Sequence, residues 1–138
     1  MNQQINELDT TWNAQKDLLC RMMELERIII LDLAKYAESA KTAERKIDAA
    51  ENFITITNTG KDLPINGTNA ETRKVQTAAL LESKRNDPEL APLYQDLANW
   101  KSAIAAATDN YESTKDSIEI ARLTMAHIDA VLKALATP

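Results

Sequence analysis

Two glycines, one cysteine, one histidine and one phenylalanine are spread over 138 residues, and aromatic residues make up only 4% of the chain. With just four prolines besides, the sequence argues against a turn-rich β-sandwich or barrel, because repeated tight turns draw on Gly and Pro. The lone Cys20 excludes an intramolecular disulfide framework and any zinc site built from a cysteine cluster. It reads as a small core hydrophobe. The lone His127 has no histidine partner, and its nearest carboxylate in sequence, Asp129, falls on a different helical face. No Glu-x-x-His pair exists for a di-iron bundle site. Neither Gly60 nor Gly67 is followed by the Lys-Ser/Thr of a phosphate-binding loop. The sequence therefore predicts a non-enzyme with no catalytic residue, no metal and no cofactor.

Charge excludes a second class. Sixteen Lys and Arg stand against twenty-one Asp and Glu, a formal net charge of -5. Residues 1–58 carry seven basic and ten acidic groups, residues 59–89 five of each, and residues 90–138 four and six. Nucleic-acid binders neutralise phosphates with a strongly basic face, and no segment here has one. The most apolar run, Ile28-Ile29-Ile30-Leu31, ends at Asp32 and is far short of the roughly 20 residues that span a bilayer. The polar start, Met1-Asn2-Gln3-Gln4, does not read as a signal peptide. The expectation is a cytoplasmic protein without a membrane partner.

The few breakers are confined to one window. Gly60, Pro64, Gly67, Pro88 and Pro92 lie between 60 and 92, and the remaining proline is Pro138. On either side, apolar residues recur at alternating steps of three and four. In the first segment they include Ile5, Leu8, Trp12, Leu19, Met22, Ile29, Leu33, Tyr36, Ala40, Ala43, Ile47 and Ile54, interrupted by Gln15 and Glu26. In the last they run from Leu90 and Leu93 through Trp100, Ile104, Tyr111, Ile118, Ala121 and Ile128 to Leu135, interrupted by Thr114. Sustained heptads of this kind indicate helices with coiled-coil packing. The predicted fold is all-α: one domain, 1–138, in which two long helices, about 4–56 and 90–136, form an antiparallel hairpin or coiled-coil bundle. A shorter helix over about 69–85 lies between them. Thr68 and Glu71 have the spacing of a capping box at its start. Asp87 and Pro88 open the return helix, whose regular part is expected near Ala91 because Pro92 falls just beyond the free first turn.

Matching the two seams end to end makes paired positions sum to about 142. Trp100 then faces Ala40 and Ala43, Tyr36 faces Ala107, Glu26 falls near Lys115 and Gln15 near His127. One seam cannot bury everything: Leu18, Met23, Leu25, Ile28, Ile30 and Leu31 lie off it. A helix that is apolar nearly all round is covered nearly all round. The middle helix is expected to cover one side and another subunit the other, which makes these six residues the predicted homo-oligomer interface.

The connection between the long helices differs from plain helical surface. It brings Lys61, Asn66, Thr68, Asn69, Arg73 and Lys74 to a helix N-terminus, which suits an anionic ligand. A well-capped turn with Leu63 and Ile65 tucked under the bundle is the alternative. Gly67-Thr68-Asn69-Ala70-Glu71-Thr72-Arg73, followed by an amphipathic helix and a long heptad helix, resembles small helical accessory proteins encoded by tailed bacteriophages. These share a Gly-x-Asn-Ala-Glu-x-Arg turn, and the resemblance covers about residues 66–135. It implies the cytoplasm of an infected bacterium, where such genes accompany early recombination or host-takeover functions. The expected function is a non-catalytic oligomeric binding protein, a phage accessory or anti-defence factor that acts on a host protein by association. The alternative is an oligomeric sequesterer of a nucleotide, or a nucleic-acid accessory module, that uses the 60–74 connection.

Overall fold

A computed structural model describes residues 2–58 and 63–137, and the described residues form three α-helices and no strand. They are α1 (Asn2–Ile56), α2 (Ala70–Lys84) and α3 (Ala91–Ala136), and the two long helices pack together. The absence of Gly and Pro from α1 lets it run uninterrupted. Its threonines do not break it, because hydroxyls such as those of Thr10, Thr11 and Thr42 donate back to carbonyls one turn earlier. Thr57 closes α1, donating both its amide and its hydroxyl to the Phe53 carbonyl at 2.9 and 2.7 Å.

The start of α2 differs from the sequence reading by one residue. Asn69, not Thr68, is the N-cap: its extended backbone leaves the helix and its Oδ1 accepts from the Thr72 amide at 2.8 Å. The return helix starts as expected. The Asp87 carbonyl accepts from the amides of Leu90 and Ala91 at 3.1 and 2.9 Å, forming a separate turn before α3. Pro88 and Pro92 both sit where no intrahelical donor is needed.

The chain divides into two compact units. The first comprises Met1–Lys35 and Ile104–Pro138, one stretch of each long helix. Its buried residues are Ile29 from α1 and Thr114, Ile118, Ala121 and Ile128 from α3, all on the predicted seam. Lys115 does not meet Glu26 there; its Nζ lies 4.0 Å from Glu112, one turn back on its own helix.

The second unit, Tyr36–Ala103, adds α2 to the end of α1 and the start of α3. Ala40, Ala43 and Ile47 are buried from α1, Leu80 from α2, and Leu90 has no exposed surface at all. Here the helices run antiparallel: Tyr36 meets Trp100 with ring centroids 5.8 Å apart, and the Tyr94 hydroxyl donates to Glu51 Oε1 at 2.7 Å. These contacts bracket the expected register, roughly one helical turn on one side and under two on the other. Tyr36 and Trp100 therefore pack on each other, whereas volume matching had set each against alanines. Long rings close such an axial offset, and tilted aromatic pairs are favourable.

Candidate functional site

Most of the off-seam residues of α1 stay open in the first unit. Met23, Leu25, Ile28, Ile30 and Leu31 are 41–50% exposed, and Leu18 is half-buried. Two residues on α3 add to them: Ile120 at 64% and Leu123 at 61%. Sequence reasoning missed this pair, although their three-residue spacing off the α3 seam carries the signal. Cys20 is exposed too, which corrects its reading as core. It stands next to the seam residue Leu19 at a position turned outward by the heptad. These residues belong to the unit of residues 1–35 and 104–138, and α2 belongs to the other.

Charged groups within the band are unevenly satisfied. Arg27 clamps Glu24 with two hydrogen bonds, Nε to Oε2 at 3.1 Å and Nη2 to Oε1 at 2.5 Å. That hydrogen bonding, reinforced by the opposite charge, holds the Glu24 carboxyl below its ordinary range and raises Arg27. Asp32, half-buried, takes no hydrogen bond or ion pair among the described residues. Further towards the N-terminus of α1, Trp12 buries its indole N–H without an acceptor among the described residues.

The connection spends most of its polar atoms on itself. The Gly67 amide donates to Gln76 Oε1 at 2.7 Å, and Gln76 Nε2 donates to Asn66 Oδ1 at 2.9 Å. Arg73 Nη1 donates back to the Gly67 carbonyl at 3.2 Å. A Cβ on Gly67 would lie 2.6 Å from Thr72 Cγ2 and 2.7 Å from Thr72 Cβ, so the close approach requires glycine here. Of the predicted ligand residues, Asn66, Asn69 and Arg73 thus hold the turn, Thr68 is exposed and not used as the cap, and Lys74 is exposed without a hydrogen bond or ion pair. Lys61 lies outside the described residues, as does Gly60. Gly67, Asn69 and Arg73 each have a structural duty in this turn.

A cleft of about 480 Å³ opens in the second unit, lined by Phe53, Ile54, Leu63, Leu80, Lys84 and Asp87 among others. Lys84 Nζ and Asp87 Oδ2 stand 3.8 Å apart in its lining. No group of three or more His, Cys, Asp or Glu among the described residues is placed to hold a metal, and no described helix is long and apolar enough to cross a membrane. The described residues define an all-helical protein with a set of open apolar side chains on a two-helix unit. Comparison with protein-family models, curated proteins and solved structures finds no match for the chain.

Proposed function

We propose that this chain is a non-catalytic helical binding protein that works by protein–protein association, with itself and with a target. The supporting observation is the apolar band of Met23, Leu25, Ile28, Ile30 and Leu31 with Ile120 and Leu123. Burying the open half of each such side chain is worth about 1 kcal/mol, so a partner that covered the band would gain substantially from it. The phage-like turn at residues 67–73 supports a role as an accessory factor or inhibitor of a host protein in an infected bacterial cytoplasm. The nucleotide-sequestering alternative has less behind it, because Asn66, Asn69 and Arg73 are engaged within the turn.

The test is a pair of substitutions at outward positions, Leu25→Lys with Ile28→Lys, in the full chain. Helical content by circular dichroism stays unchanged, since Lys is a good helix former. Light scattering at micromolar concentration then shows loss of the associated state seen in the wild type. A wild type that neither self-associates nor loses any binding partner on this substitution overturns the reading.

A further inference from the structure

We propose that a second copy of this chain packs antiparallel along one flank of α1, with Arg21 of each copy meeting the partner's Asp32 across a centre of Leu25 and Ile28. The proposal rests on the reading of the apolar band as a contact surface, and names what covers it and in which register.

In α1 the seam passes through Leu19, Met22, Glu26, Ile29 and Leu33. The heptad places Leu18, Leu25 and Asp32 beside the seam on one flank, with Arg21, Ile28 and Lys35 one step further out. Read along the helix, this strip is Leu18, Arg21, Leu25, Ile28, Asp32, Lys35. Its central four residues are self-complementary when reversed. Arginine opposes aspartate, leucine opposes isoleucine, and each contact occurs twice about a two-fold axis. Further out, the stem of Lys35 comes opposite Leu18, where it covers apolar surface with its charge in water. A parallel, in-register pairing would instead set Arg21 against Arg21 and Asp32 against Asp32.

The state of these groups in the single chain agrees. Asp32 is half-buried and has no hydrogen bond or ion pair among the described residues, so its carboxylate is free to accept one from a partner. Arg21 is exposed, and its one hydrogen bond is a long one, Nε to the Asp17 carbonyl at 3.4 Å. The opposite flank offers no such pattern: it carries Met23 and Ile30 beside Arg27, whose charge is already taken by Glu24.

On α3 the adjoining flank is free of charge. Ala103, Ala106, Asn110, Ser113, Ser117, Ile120, Thr124, His127, Val131 and Ala134 follow one another at alternating steps of three and four, and none is Asp, Glu, Lys or Arg. An antiparallel pair sets this flank of α3 on the same side as the α1 strip. A second copy approaching there meets small side chains and the open Ile120, and no repelling charge.

Charge exchange in the full-length chain tests the register. Sedimentation equilibrium across the micromolar range should show wild-type dimers. Arg21→Asp and Asp32→Arg should each weaken self-association roughly a hundredfold, because each places like charges opposite one another twice. Mixed in equal amounts, the two single variants should form heterodimers, and the double variant R21D/D32R should regain the wild-type homodimer. Recovery in the mixture and in the double variant separates repulsion from misfolding. A monomeric wild type at high micromolar concentration overturns the proposal, as does wild-type association by either single variant or failure of the mixture to pair. If the charge variants associate normally while Leu25→Lys with Ile28→Lys dissociates the protein, this register falls and the band remains a binding surface.

Discussion

At Asn69 a single side chain decides where α2 begins. Thr68 and Asn69 are both good caps, and the Thr68–Glu71 spacing favours the first. The structure uses the second because the preceding turn is already committed. Gln76 reaches back to both Gly67 and Asn66, and Arg73 donates to the Gly67 carbonyl, which sets the path of the chain into the helix. The Thr72 amide then meets Asn69 Oδ1, not the Thr68 hydroxyl. Two substitutions distinguish these caps. Asn69→Ala should lower stability by about 1 kcal/mol, the usual worth of an N-cap, and Thr68→Ala by no more than a few tenths. Urea denaturation of both variants checks this, and equal losses would refute the assignment. The same local clamp explains why the connection was ambiguous in sequence. Asn, Thr and Arg at a helix N-terminus suit an anion and a self-satisfied turn equally well. Gln76, nine residues from Gly67, decides between them without forming part of the motif.

Between elements, the most specific polar contact is Tyr94 on α3 to Glu51 on α1. Burial pushes the Tyr94 hydroxyl up to about 12, helped by the hydrogen bond to Glu51 and its negative charge, and opposed by Arg85, whose guanidinium lies 5.9 Å from the ring centre. A folded value above the ordinary 10.0 means that the native state holds this proton more tightly than the unfolded chain does. The resulting stabilisation is complete below pH 10 and is lost as pH rises towards 12. Tyr94→Phe should therefore cost about 1.5 kcal/mol at pH 8, the lower end for a hydrogen bond to a charged group. The difference between wild type and variant should shrink from pH 10 upward. A difference that stays constant across that range would show that the contact does not couple to the tyrosine proton. At this scale the sequence was informative where the signal repeats: heptads with no Gly and, past the first turn of α3, no Pro placed α1 and α3 to within two residues of their ends. It was weaker where one tertiary choice decides. Cys20 reads as core by residue type but lies outward by heptad position.

At the scale of the whole molecule, the two units differ in what completes them. The unit of residues 36–103 has a third helix and a leucine with no exposed surface. The other has only its two long helical stretches, and its apolar band stays open. Helices in water draw most of their stability from packing of an apolar face, so the two-helix unit lacks a layer that the other unit has. If a second copy supplies that layer, folding and association are linked and stability must depend on concentration. The melting temperature should then rise by roughly 2–4 °C for each tenfold increase in protein, the shift expected when dimer dissociation accompanies unfolding. Arg21→Asp should melt lower at high concentration, show little concentration dependence, and converge on the wild type at high dilution. Ile120→Ala should leave the single chain's core intact, since the side chain is 64% exposed, and should still lower the wild-type melting temperature at high concentration. Calorimetry over a hundredfold range of concentration reads all three. A melting temperature that does not move over that range would mean that the two-helix unit is stable without a second copy, and that its open apolar band serves only a different protein.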